Sequence, residues 1–388
     1  MKNLNSILIF LLFIVAGCGE NKQPAGDFIT VDVTANYPLK KLILQDFMDV
    51  EYIPLETNDE FLCQGNIQAV GKSIIVVTNW AASDGNIFLF DRNGKALRKI
   101  NRKGQGSEEY ASLSKIVLDE DNDELFVNSM HEKKIFVYDL EGNFKRSLPH
   151  KGDSKFYGMY NFDRENLICH DTYNDNNFRA LHTGQSFMII SKKDGSIIKK
   201  IKTPIKEKKS IIIRTPQNEV TGVYYSYGPS SVHEMLPYFD DYVLVELSTD
   251  TIYRYSPDHT MKPFIVRTPS IQTMNPEYYL LLSLLTDRYY FMEVVEKTMD
   301  FSATDLLYDK QEKALFRYKV YNGDYAYEKE AYLKSRPLNG EIPSRQFLEA
   351  EELVQDYEKG RLKGRLKEIA AKLDPEDNPV IMLIKHKK

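Results

Sequence analysis

The sequence predicts an all-β fold: a six-bladed β-propeller with helical insertions, closed by a composite blade drawn from both ends of the chain. Three observations lead there. A hairpin segment repeats: Asn86–Lys95 returns as Lys134–Asn143, with Ile87 and Ile135, Asp91 and Asp139, and Gly94 and Gly142 each 48 residues apart. Weaker strand signals continue the same rhythm. Unmatched strand patterns remain at both ends, and a ring has to join them, because open sheet edges invite aggregation.

Each repeat reads as an apolar strand, a polar turn closed by glycine, and a second strand ending in Ile100 or Leu148. Further copies lie at Ser186–Gly195, at Thr251–Ser256 with a turn through Pro257-Asp258-His259, and at Ala314–Val320. Strand signals precede each copy, at Ile74–Val77, Leu125–Val127, Leu167–Cys169, Val243–Val245 and Tyr290–Met292. Five blades then span about residues 64–325. Phe28–Thr34, Val50–Leu55 and Val380–Ile384 are left to form the sixth. Two segments carry helical spacing. Asn275 and Pro276 are suited to open a helix near 276–286. Ser344 precedes a long apolar stripe over 345–373, weakened by Gly360 and Gly364 and ended by Pro375.

The N-terminal residues read as an export signal. Lys2 precedes the apolar run Ile7–Val15, which is too short to span a bilayer as a helix. Val15-Ala16-Gly17-Cys18 follows, with small residues directly before a cysteine. That pattern resembles the bacterial lipobox, which implies that residues 1–17 are removed, Cys18 is lipidated (palmitate among its acyl chains), and residues 18–27 form a tether to the propeller of 28–388. Localisation in the cell envelope follows, at the outer membrane. Loss of Lys2 would take the formal charge from −5 to −6. An acidic chain lacks the clustered cations that nucleic acid requires, so nucleic acid is not an expected partner. Cys63 and Cys169 remain, in different blades, and read as free thiols.

With these residues in view, the chain resembles the six-bladed propeller lipoproteins of Gram-negative bacteria, similar in style to NHL-repeat propellers. The resemblance rests on Ile53-Pro54-Leu55-Glu56-Thr57, Phe90–Lys95, Arg102–Tyr110 and Asp377-Asn378-Pro379-Val380. It implies a fold and a lipid anchor, and almost nothing about mechanism.

Four segments are candidates for chemistry. Gly104-Gln105-Gly106 has the glycines of a phosphate cradle but joins two blades, without the helix such a loop needs. Asp119–Glu124 is acidic like a calcium loop, yet Glu124 and Met130 stand where an EF-hand needs glycine and a bidentate acid. His170 and Asp171 follow a strand, and His131 follows the equivalent strand one blade earlier, so the three are candidates to line the channel. Tyr224, Tyr225 and Tyr227 lie on a long insertion and are candidate contact rings for a partner or a sugar. No nucleophile elbow, cofactor fingerprint or zinc cysteine pair is present, and no cofactor or metal is expected. The reading is a non-enzymatic binding module for a protein or glycan partner. The alternative is a glycan- or lactone-directed hydrolase or lyase with its site in the channel.

Overall fold

The two copies of the repeat form the third and fourth strands of the first two blades. In the computed structural model, which describes residues 28–80, 84–151, 154–171, 186–218 and 223–387, Asn86–Asp91 pairs with Ala96–Asn101 and Lys134–Tyr138 with Phe144–Pro149. The turn is built the same way twice. Asp91 accepts the N–H groups of Asn93 (2.7 Å) and Lys95 (2.9 Å), and Asp139 accepts that of Asn143 (2.7 Å). Gly94 and Gly142 close the turns at φ +85° and +86°, a region that L side chains avoid.

Six blades follow in chain order. The first runs 66–101, the second 115–149, the third 156–201, the fourth 235–268 and the fifth 278–321, each a four-stranded antiparallel meander. The sixth joins Ser344–Leu348, Val380–His386 and Met48–Pro54. The ring is therefore closed from both ends, as the leftover strands imply. Neighbouring blades bury apolar faces against each other. Phe88 and Phe90 of the first blade meet Ile53, Ile381 and Leu383 of the sixth, so the seam is a core like the others. Sealing each such side chain contributes roughly 2 kcal/mol of transfer free energy.

Three expectations are corrected. Phe28–Thr34 does not enter the sixth blade: Ile29–Asp32 adds in parallel to the outer edge of the fourth, beside Ile265–Thr268. Leu39–Ile43 does the same on the fifth, beside Arg317–Tyr321. Both cover edges that would otherwise be open. The helix near 276–286 is instead the strand Tyr278–Leu285, paired with Tyr289–Glu296. Nearly every residue of it is buried, and a continuous apolar run gives no period by which strand and helix differ. The segment 345–373 begins as strand and then forms two short helices, Ala350–Glu358 and Gly364–Ala370. Gly360, at φ +65°, ends the first: its N–H donates to Tyr357 (2.9 Å) and that of Arg361 to Asp356 (2.8 Å), a Schellman closure. Leu353, Leu362, Leu366 and Ile369 pack the insertion against the outer parts of the fifth and sixth blades.

The acidic run Asp119–Glu124 is occupied by the fold. Glu120 accepts the N–H groups of Ser73 (3.0 Å) and Ile74 (2.8 Å), Asp119 pairs with Lys192 (2.7 Å), and Glu124 with Arg146 (2.6 Å). Gly104-Gln105-Gly106 already holds an internal carboxylate, since Glu109 accepts the Gly106 N–H at 2.8 Å. Cys63 and Cys169 are free, one half-buried and one buried. Cys18 and the whole export signal lie outside the described residues. No helix among the described residues is long and apolar enough to cross a membrane.

Candidate functional site at the channel mouth

Between the fifth and sixth blades the chain does not stay at the rim. Residues 332–342 run along the ring axis and turn at Asn339-Gly340 into the strand Ser344–Leu348. This strap takes the innermost position of the sixth blade with little of a strand's ladder. Its one backbone bond to the return limb is from Leu338 N–H to Ile342 (3.1 Å). Side chains hold the rest: Ser335 and Ser344 share a hydroxyl bond (2.8 Å), and the Arg345 N–H donates to Ser335 Oγ (2.8 Å). The inner strands of other blades grip the strap across the axis. Tyr160 donates to the Pro337 carbonyl (3.2 Å), and Asn339 donates to that of Val70 (3.1 Å). The chain thus plugs its own channel.

The plug leaves two separate hollows. One, of about 1370 Å³, opens at the mouth where Asp49, Arg92, Asp121, Asp240 and Lys385 stand, with polar and apolar lining in about equal parts. The other, of about 730 Å³, opens at the opposite mouth and has more apolar walls. Trp80, Tyr157, Tyr227, Tyr332 and Phe347 stand around it. Trp80 lies edge-on to Phe347 with ring centres 5.0 Å apart and stays 54% exposed, which is unusual for the single tryptophan of a chain. A concave site with aromatic walls and a few placed polar groups is the usual form of a small-molecule or oligosaccharide site.

The floor of this cavity is cationic. Lys208 is balanced by Glu246 (3.0 Å), and Lys334 by Glu293 (2.5 Å) and Asp305 (2.8 Å). Arg336 stacks on Tyr157, 4.9 Å from the ring centre, and faces Glu234 at 3.6 Å. Burial opposes its charge, yet Tyr160 and Glu234 hold its pKa above the ordinary arginine value. Arg345 has no acid: its Nε donates to the Ile67 carbonyl (3.0 Å) and its Nη1 to that of Arg336. Burial, with Arg336 adding to it, lowers Arg345 to about 10. Lys115, on the other side of the strap, donates to the Gln68 carbonyl (3.2 Å) and is pushed down to about 7 by burial and then by Arg345 and Arg336. His233 donates Nε2 to the Lys334 carbonyl (2.9 Å), and burial drives its pKa down to about 3, so the ring is neutral.

The sequence-predicted residues divide around this site. His170, buried at the end of a strand in the third blade, lines the cavity. So does Tyr227, the last residue of the hairpin Ile213–Asn218/Val223–Tyr227. Tyr224 and Tyr225 are 57% and 49% exposed on the same hairpin and do not line it. Asp171 accepts the Lys155 N–H (2.9 Å), and His131 is exposed on a turn; neither lines the cavity, so His131, His170 and Asp171 do not converge. No group of three metal-binding side chains occurs among the described residues. Sequence reasoning missed Arg336, Arg345, His233 and Trp80. The Asn339-Gly340 pair is a hairpin signal that sets the two arginines on facing limbs.

Comparison with known proteins places this architecture. The model of the family described as domain of unknown function DUF4934 matches residues 28–385, all but the ends of the chain. The chain belongs to that family. Among solved structures, a candidate exported protein of Bacteroides fragilis is 16% identical, with 93% of this chain and 99% of that one covered at a TM-score of 0.59. This DUF4934 chain thus shares that protein's fold. A DUF4221 member from Bacteroides vulgatus is 9% identical over 88% of this chain and 98% of that one, TM-score 0.44. Virginiamycin B lyase from Staphylococcus aureus is 13% identical over 66% and 88%, TM-score 0.34, a likeness too loose to bear on activity. No curated protein matches the DUF4934 chain.

Proposed function

We propose that this DUF4934 propeller is a recognition module of the cell envelope that binds a glycan in the 730 Å³ cavity. The observation that carries the reading is the set of exposed rings around a concave, cation-floored site. Trp80, Tyr157, Tyr227 and Tyr332 remain 54%, 46%, 42% and 50% exposed while facing one hollow. Such rings stack on the apolar faces of sugars, and the hydrogen-bonding floor takes hydroxyl groups.

The catalytic alternative has a specific observation in its favour: His170 and His233 line the same cavity as Arg336 and Arg345. Its weakness is His233, whose pKa near 3 makes it a feeble base at neutral pH. Recognition is therefore the better reading. Export and a lipid on Cys18 complete it, supported by the lipobox-like sequence Val15–Cys18.

A thermal-shift and calorimetric screen of the protein against neutral and acidic polysaccharides tests the site. A ligand that binds only the folded state raises the melting temperature by mass action. Trp80→Ala and Tyr227→Ala should abolish that rise without unfolding the protein. Release of shortened or unsaturated products, seen by mass spectrometry, would move the assignment to an enzyme. A panel that leaves melting unchanged overturns the glycan reading. Cys18→Ala should shift the protein from the membrane to the soluble fraction.

A further inference from the structure

Resting on the glycan reading above, we propose that the ligand is acidic and that Arg345, with Arg336, receives a monoanionic group of the sugar, a carboxylate or a sulfate ester.

The argument begins with charge that has no counterpart. Among the described residues, Arg345 and Lys115 form no ion pair: both donate only to carbonyl oxygens. The other cations of the cavity have acids: Lys208 with Glu246, Lys209 with Glu277, Lys334 with Glu293 and Asp305, and Arg336 facing Glu234. A guanidinium does not discharge in a protein, so it keeps its full charge wherever the fold puts it. Removing it from water without an anion is unfavourable, and a ligand that brings one relieves the penalty.

Geometry then says where the anion goes. The Nε and Nη1 of Arg345 are occupied by the Ile67 and Arg336 carbonyls, which fixes the plane of the group and leaves Nη2. Nη1 of Arg336 is buried with no hydrogen-bond partner, while its Nη2 faces Glu234 Oε2 at 3.6 Å, an ion pair too long for a hydrogen bond. Two guanidiniums on adjacent limbs of one hairpin thus each retain a donor with no hydrogen-bond partner. Oxyanions take such donors in pairs. Trp80, Tyr157 and Tyr227 stand above them, so a sugar ring that stacks on the walls places its acidic substituent on the floor. The depressed pKa values of Arg345 and Lys115 agree with a site waiting for negative charge. The charged groups that act on Lys115 are Arg345 and Arg336, beside the Tyr160 ring and the Gln68 carbonyl, so an anion beside the arginines would favour its proton.

The test uses the purified full chain and four probes: oligogalacturonate, its methyl ester, a sulfated galactan and free glucuronate. Oligogalacturonate or the sulfated galactan should bind at least roughly tenfold more tightly than the methyl ester, a difference one lost charge-assisted pair readily produces. Which of the two wins identifies the oxyanion. Arg345→Gln should remove that preference, so that acid and methyl ester bind alike. Arg345→Lys, which keeps the charge, should retain part of it, and serves in place of Arg345→Gln if that variant does not fold. Equal binding of ester and acid overturns the acidic-ligand proposal while the glycan reading stands. Binding of free glucuronate, lost in Arg345→Gln, with no oligosaccharide bound, keeps the anion site and overturns the glycan reading. No response to any anionic probe overturns the proposal.

Discussion

Gly94, in the first blade, packs directly on the carbonyl of Pro54, in the sixth: a Cβ at Gly94 would sit 2.0 Å from that oxygen. The contact spans the seam where the two ends of the chain meet. Gly142 repeats it one blade on, against Ile100, and Gly195 again, against Leu148. The turn glycine of the repeat therefore serves twice, once for its positive φ and once for the close approach of the preceding blade.

Gly94→Ala should be severely destabilising, by about 2–4 kcal/mol, because strain and overpacking add. Gly360→Ala is the matched control. It also has positive φ, but nothing lies within 4 Å of its Cβ position, so about 1 kcal/mol is expected. Chemical denaturation of the two variants measures the difference. Equal losses would mean that the seam contact is unimportant.

Removal of residues 379–388 should abolish cooperative folding. Val380–His386 is the central strand of the sixth blade, bonded to Ser344–Leu348 on one side and to Met48–Pro54 on the other. A truncated protein that melts like the intact one would show that the ring does not depend on its closure.

The Tyr hairpin should be separable. Tyr224 and Tyr225 are exposed and do not line the cavity, so replacing both with alanine should spare the fold and the ligand. Adding Tyr227→Ala should weaken the ligand alone. Circular dichroism and calorimetry distinguish the two effects.

Acid should destabilise the protein through buried histidine. His150 is buried between Asn128 and the Ser154 carbonyl, and burial lowers its pKa to about 4. His233 is lowered to about 3 by burial and by Arg336. In both cases the unfolded chain binds the proton more readily, so stability falls as pH drops from about 6.5 towards 3–4 and is level above that window. His150→Gln, which keeps a polar side chain without titrating, should flatten part of the slope. Denaturant midpoints measured between pH 3 and 7 test it, and an unchanged slope would assign the acid loss to other groups.

Much of the ring was legible because its signals are local. The repeat at Asn86 and Lys134 carries strand, turn and glycine within ten residues, and the end strands are strongly apolar. Tyr278–Leu285 was misread because it is buried on both faces and so lacks a period. Leu39–Ile43 alternates exposed and half-buried residues at a blade's outer edge and carries almost no apolar signal. The cavity floor was hidden for a different reason. Arg336 and Arg345 share one hairpin, but Glu234, the acid that faces Arg336, comes from another blade, and only tertiary placement reveals that Arg345 has no acid at all. His170 and Tyr227 were found because strand ends and long loops point to channel mouths, a topological cue that His131 and Asp171 share without reaching the site.

The N-terminal segment, laid over three blades in succession, also sets a schedule. Ile29 pairs with Ile265, Leu39 with Arg317 and Val50 with Ile384, so the first strands synthesised wait for the last. At a translation rate of about 10 residues per second the strand at Val50 goes without its partner for roughly half a minute. Contacts of such long range are slow to form, and the ring has no complete intermediate in which to rest. A chain that stays open until its final residues appear is one that can still be threaded through a narrow pore.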